Sequence, residues 1–254
     1  MVALKKWTGS TWAFVNTQAS TTVETFESPT WSVGTFTNGQ TISGNLGTWT
    51  ASVAGSGGTR VAEVTAGQYI HMNDTSASGS CSMSLVLSSK GSPNGTDYFT
   101  VKLKVVSADY SGCILFDEVS AANWRVGIYP YAGGALYYYN GSAWVTSGLS
   151  WTSNDWNTYD ILFQDTSHFK LRQDGGSWTA ALTQRLNWSG SGAVIDKMMF
   201  GGATGGSLEI YGDDCQASWM STAGASKVKY CSSGSTFTAK NLKRYNGSTW
   251  DTVT

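Results

Sequence analysis

Residues 99–106, FTVKLKVV, alternate apolar and polar side chains over a full strand length. A period of two sends successive side chains to opposite faces of an extended chain, and this pattern does not suit a helix. YDILFQ at 159–164 and HFKLRQ at 168–173 repeat the alternation on either side of a turn-like Asp165-Thr166-Ser167. Asp174-Gly175-Gly176 then marks another tight turn. The same reading predicts strands at 60–64, 69–72, 81–87, 113–117, 124–129, 136–139, 197–200 and 207–211, with Gly, Ser, Asn and Asp between them. No segment carries a helical amphipathic period. Many short strands at close spacing predict an all-β fold, a two-sheet antiparallel jelly-roll sandwich.

Composition supports this and removes several function classes. The chain has 254 residues, room for one large β domain or two ordinary ones. Charged residues make up only 13% while Gly, Ser, Thr and aromatics are abundant, which favours pleated, half-buried surfaces. Net charge is −1, and the basic groups at Lys5-Lys6 and 240–244 are short, which argues against nucleic-acid binding. No apolar stretch approaches the ~18 residues of a membrane span. The N-terminal residues MVALKKWTGSTW carry no signal-peptide pattern. The four cysteines (Cys81, Cys113, Cys215, Cys231) form no CxxC or Cys/His cluster, and His71 and His168 stand alone. They read as small buried hydrophobes, or as one or two disulfides, rather than as a zinc site. Asn-x-Ser/Thr triplets at Asn73, Asn94, Asn140, Asn187 and Asn246 read as a by-product of the Ser/Thr-rich composition.

One six-residue word occurs three times: WTGSTW at 7–12, YNGSAW at 139–144 and YNGSTW at 245–250. Asn-Gly is a strong hairpin signal. On a two-residue Asn246-Gly247 loop, Tyr245 would oppose Ser248, and Lys243 would oppose Trp250. The central copy reads as one hairpin of the sandwich. The outer copies match over KKWTGSTWAFV and LKRYNGSTWDTV, so hairpin arms are expected at both ends, built on Trp7, Trp12, Tyr245 and Trp250. An isolated hairpin is marginal in water, so such arms need a surface to lie on. The expected organisation is an N-terminal arm at 1–30, a sandwich at 35–218, and a Ser/Thr/Gly-rich linker with a C-terminal hairpin at 219–254.

These terminal words resemble the short hairpin words of tail and baseplate proteins of tailed bacteriophages. The central region resembles the laminin-G/concanavalin A-like jelly roll. The carriers are DWNTYDILFQD at 155–165, HFKLRQDGG at 168–176, MFGG at 199–202 and LEIYGDDCQAS at 208–218. That resemblance implies a fold and leaves function open, because the scaffold hosts lectins, hydrolases, lyases and structural modules. It also implies a calcium reading at Asp213 and Asp214.

Glycosidase chemistry needs two carboxylates flanking a bond. Asp117 and Glu118 are adjacent, and Asp160 and Asp165 differ in parity, so neither pair shares a strand face. A lyase-like set of His71, Tyr129, Arg125 and Gln68 has suitable chemistry but no spacing that ties it together. Aromatic residues instead crowd 129–144. Tyr129, Tyr131, Tyr137, Tyr139 and Trp144 are the candidate glycan-binding residues, with Tyr137 and Tyr139 on one strand face and Tyr138 on the other. Trp124, Trp151 and Trp156 read as core or rim. The expectation is a non-enzymatic structural protein on the virion surface of a phage, as tail fibre, tail tip or decoration. Its partners would be further copies of itself, other virion proteins and a host-surface polysaccharide. The alternatives are a stand-alone carbohydrate-binding module and a polysaccharide lyase or hydrolase.

Overall fold

A computed structural model describes residues 4–7, 12–15, 20–55, 58–75, 80–108, 114–117, 124–188, 193–202, 207–222, 229–231, 237–239, 243–245 and 250–252. Every regular element among the described residues is a strand. The chain divides into a unit at Thr22–Met220 and a second unit made of Met1–Thr21 and Ser221–Thr254.

The larger unit is a sandwich of two antiparallel sheets, concanavalin A-like in architecture. The alternation at 99–106 becomes the strand Tyr98–Ala108, with Phe99, Val101, Leu103 and Val105 in the core and Lys102 and Lys104 on the opposite face. This strand lies inside a nine-stranded sheet, between Trp156–Phe163 and Leu208–Thr222. His168–Gln173 and Leu182–Thr183 extend that sheet on one side, and Ile70–Asp74, Arg60–Val64 and Gly34–Thr35 on the other. Ser20–Glu24 pairs with Leu208–Thr222 as well.

The other sheet has eight strands. Its order is Trp144–Ser150, Ala135–Tyr139, Val126–Pro130, Ile114–Asp117, Ile195–Gly202, Ser80–Gly91, Gly47–Ala54 and Thr41–Ser43. Aromatic rings close the interior between the sheets. Phe116 meets Phe163 edge-on at 5.0 Å and Phe99 at 5.3 Å, and Tyr138 meets Phe169 at 5.6 Å. Edge-to-face geometry suits the ring quadrupoles and fills the interlayer space.

The sandwich starts earlier than position 35. Phe26, Trp31 and Trp49 form an edge-on aromatic cluster with no solvent exposure beyond 1%. Glu24 sits fully buried beside it. Its carboxylate accepts from Trp31 Nε1 at 2.8 Å, Trp49 Nε1 at 3.3 Å and the Leu46 N–H at 3.2 Å. The stretch assigned to an arm thus supplies a polar anchor and one core ring, Phe26, with Trp31 just beyond it, which Glu24 and the four-residue gap after Phe26 did not reveal by periodicity.

Among its described residues the smaller unit holds three two-stranded ribbons: Leu4–Trp7 with Trp12–Val15, Lys229–Cys231 with Phe237–Ala239, and Lys243–Tyr245 with Trp250–Thr252. The second ribbon lies in the stretch read as linker. All three copies of the repeated word share one register, which differs from the expected one. Trp7 pairs with Trp12, Tyr139 with Trp144 and Tyr245 with Trp250, so four residues separate the facing aromatics. Lys243 faces Thr252 rather than Trp250. The central copy shows the reason. Asn140 Oδ1 accepts the N–H groups of Ser142 and Ala143, and the Ser142 hydroxyl, while the Asn140 N–H donates to the Ala143 carbonyl. Asn140 therefore caps an Asx-type loop and does not form the corner of a two-residue turn. The loop residues 8–11 and 246–249, and the side chains of Trp7, Trp12, Tyr245 and Trp250, lie outside the described residues.

Candidate functional site

Strand parity builds an aromatic field on the outer face of the eight-stranded sheet. Ile128 and Tyr138 point into the core, so Tyr129 on one strand and Tyr137 and Tyr139 on the next point outward. Tyr129 lies directly opposite Tyr137, and Tyr139 directly opposite Trp144. The Trp144 ring stands edge-on to Tyr129 at 4.3 Å and tilts over Tyr139 at 5.2 Å. Tyr131 packs against Tyr137 at 4.9 Å. Trp144 is 39% exposed although it is a large hydrophobe. The five glycan-binding candidates therefore come together on one surface, with a shallow slot between Tyr129, Tyr131, Tyr137 and Trp144.

Two further residues belong to this surface. Trp124 lies half-buried 5.7 Å from the Tyr129 ring and 6.5 Å from the Tyr139 ring. The Arg185 guanidinium sits 4.4 Å over Trp124 and 5.8 Å over Tyr139, a cation–π bracket that holds both rings. Two glycines permit the packing. A Cβ at Gly127 would come within 2.5 Å of the Trp124 ring, and one at Gly141 (φ +96°) within 2.7 Å of the Arg185 carbonyl oxygen. Burial pushes the Tyr129 phenol well above its ordinary range, against a smaller opposing pull from Arg185. Its hydroxyl stays protonated and keeps both a donor and acceptor role.

Beyond Trp124 the face dips into a pocket of about 100 Å³ lined by Leu115, Asp117, Trp124, Lys197 and Met199. The register explains the lining: Leu115 pairs with Met199, and Asp117 with Lys197, on neighbouring strands. Arg125 Nε lies 3.7 Å from Asp117 Oδ1 beneath the surface. Past the pocket the face changes character, to Thr48, Thr50, Ser82 and Ser84, with Val86 exposed opposite Thr48. Aromatic walls with a few converging polar groups are the usual build of a small-molecule or sugar site.

The outer face of the nine-stranded sheet is different. Glu63, His71, Tyr211, Lys104 and Trp156 form one row across five strands. His71 Nδ1 lies 2.9 Å from Glu63 and Nε2 3.5 Å from Glu209, with the ring stacked on Tyr211 at 4.3 Å. The Lys104 ammonium is 4.0 Å from the Tyr211 ring centre and 5.5 Å from that of Trp156. His71 thus lies on the opposite side of the sandwich from Tyr129 and Arg125, which dissolves the lyase-like set, while Gln68 occupies a turn at φ 61°.

The remaining acids have local partners. Asp160 accepts from Thr100 Oγ1 and from Arg172 Nε. Asp165 accepts from two backbone N–H groups and approaches the His168 ring. At Asp213 and Asp214 the neighbouring positive charge is the Lys102 ammonium, 3.7 and 3.5 Å away. Among the described residues no group of three His, Cys, Asp or Glu could hold a metal ion. Glu118 lies outside the described residues.

No family model and no curated protein sequence matches this chain. Solved structures do. A Trypanosoma rangeli sialidase is similar over 81% of this chain, with a TM-score of 0.51 and 10% identity. A second sialidase is similar over 69% of the chain, with a TM-score of 0.50 and 12% identity. The aligned parts are 31% and 17% of those longer proteins, so this chain spans less than a third of either sialidase. At such identities the likeness is one of fold: a β-sandwich of the concanavalin A-like kind.

Proposed function

We propose that this chain is a non-enzymatic structural protein of a tailed-phage virion surface, whose sandwich binds a host-surface glycan on the outer face of its eight-stranded sheet. The observation that carries the binding role is the aromatic surface of Trp124, Tyr129, Tyr137, Tyr139 and Trp144, with Trp144 left open to solvent. Flat ring faces suit the apolar C–H face of a pyranose, and the Arg185 guanidinium offers hydrogen bonds at its edge. The virion role is supported by the terminal words, whose shared aromatic-pair register marks them as one kind of hairpin. Ribbons of this size need support from another surface, which fits docking onto neighbouring subunits.

A glycan array of host-surface polysaccharide fragments tests the binding role. The wild-type chain binds a subset, and Tyr137→Ala and Tyr139→Ala abolish that binding. Silence of the wild type on the array rejects it. Removing residues 1–18 and 238–254 tests the docking role, which fails if the truncated chain still joins particles normally.

One observation favours a second reading, a polysaccharide-degrading enzyme: the imidazole of His71 held between the carboxylates of Glu63 and Glu209 on the other sheet. New reducing ends or unsaturated products from a polysaccharide panel, lost in His71→Ala, would establish it in place of the first.

A further inference from the structure

We infer that the pocket beside Trp124 receives the acetamido group of an N-acetylated amino sugar, so that the glycan class bound is one rich in 2-acetamido sugars. This rests on the glycan-binding reading of the same face and names its ligand more closely. The pocket of about 100 Å³ far exceeds the ~10–15 Å³ a single water needs, so it has room for a ring substituent of several heavy atoms.

Its chemistry is divided. The floor is Leu115 and Met199, paired across neighbouring strands, and Trp124 forms one wall. The lining also carries the buried Asp117 and the half-buried Lys197, directly opposite one another. Lys197 makes no ion pair with the described residues. Asp117 has Arg125 3.7 Å from one oxygen and contributes to the pocket lining.

An ionised carboxylate only accepts and an ammonium only donates. An acetamido group answers both at once, with its N–H to Asp117, its carbonyl to Lys197 and its methyl on the Leu115–Met199 floor. Other common sugar substituents match less. A free amine brings a second cation beside Lys197 and sets a charge on an apolar floor. A carboxylate or phosphate brings an anion beside Asp117. A hydroxyl leaves the floor in contact with water, and an O-acetyl ester has no N–H for Asp117. Trp124 also edges the aromatic field, so a pyranose stacked there carries its neighbouring substituent over the pocket mouth.

Saturation-transfer NMR and calorimetric titration of the full chain provide the test. The probes are β1,4-linked trisaccharides of 2-acetamido-2-deoxyglucose, of 2-amino-2-deoxyglucose and of glucose, with the 2-acetamido-2-deoxygalactose monosaccharide beside its galactose counterpart. The acetamido sugars of at least one configuration are expected to bind at least ~10-fold tighter than their amine and hydroxyl counterparts, with the acetyl methyl as the most strongly saturated proton. Lys197→Met, which keeps the alkyl stem and removes the ammonium, is expected to cancel most of that preference without weakening binding of the hydroxyl sugar. Asp117→Asn is a weaker probe because Asp117 is buried against Arg125, and Lys197→Met stands without it. Equal affinity for acetamido and hydroxyl sugars overturns the inference and leaves the glycan-binding face standing. A preference unchanged in Lys197→Met also overturns it. Absence of binding to any glycan of the array overturns both.

Discussion

Replacing Glu24 by alanine removes the acceptor for three buried donors: the indole N–H groups of Trp31 and Trp49 and the backbone N–H of Leu46. Each orphaned buried donor costs roughly 1–3 kcal/mol, which gives on the order of 3–9 kcal/mol before any relaxation. Two effects reduce this. Water entering the space satisfies part of the loss, and the substitution relieves the cost of burying a carboxylate. A net loss of about 3 kcal/mol is expected, against a typical domain total of about 5–15 kcal/mol. Glu24→Gln is the control. Its amide oxygen can replace the oxygen that serves Leu46 and Trp49, which leaves only the Trp31 N–H facing an NH₂ group, so a loss near 1–2 kcal/mol is expected. Urea unfolding followed by tryptophan fluorescence reads both, with the change in midpoint at constant slope as the stability change. Glu24→Ala as stable as the wild type within about 0.5 kcal/mol, the range of a neutral surface change, would refute the view that this residue anchors the N-terminal segment in the sandwich.

Three other expectations follow from the same structure. Burial, with Asp74 nearby, pushes the Cys81 thiol up to about 11, and burial raises Cys215 well above its ordinary value. Peptide-resolved iodoacetamide labelling at mildly alkaline pH should therefore spare both until denaturant is added, and labelling of either in the native chain would contradict their placement. Burial also raises the Asp213 carboxyl; the Asp214 N–H donated to it and the Lys102 ammonium oppose this, and the Asp214 and Glu27 charges add to it. Its folded pKa thus lies above its unfolded one, so this group's contribution to stability is present below the carboxylate range and is lost as pH rises through the folded value. Asp213→Asn should match the wild type in melting temperature at low pH and exceed it above the carboxylate range; a wild type that gains on the variant with rising pH reverses the sign. Finally, Asn140→Ala removes three hydrogen bonds to Oδ1 in the loop that sets Tyr139 against Trp144. It should lower glycan affinity several-fold while costing only about 1 kcal/mol of global stability, and full affinity in the variant would show that the loop does not position the rings.

Period-two alternation made the interior of the sandwich readable. The strands Arg60–Val64 and His168–Gln173 fall where the pattern put them. Trp144–Ser150 escaped it because an edge strand buries little: it carries Gly148 and exposes alternate positions without an apolar period. Gly47–Ala54 escaped because small polar residues, Thr48, Thr50 and Ser52, dilute an inward set of Trp49, Ala51 and Val53. The shared face of Tyr137 and Tyr139 is a local property and was visible. The place of Trp124 was not, because it depends on the missing side chain of Gly127 on an adjoining strand and on Arg185 from a distant loop. The pocket likewise joins Leu115 and Asp117 to Lys197 and Met199, a pairing set by sheet order that no local window contains.

The most direct test of the account compares the two outer faces of the sandwich. The tightest-binding glycan of the array is titrated calorimetrically into the wild type, into Trp144→Ala on the eight-stranded sheet and into Trp156→Ala on the nine-stranded sheet. Trp144→Ala is expected to weaken binding at least ~10-fold, a loss near 1.4 kcal/mol, while Trp156→Ala binds like the wild type. Full affinity in Trp144→Ala together with loss in Trp156→Ala would move the site to the face that holds His71 and contradict it.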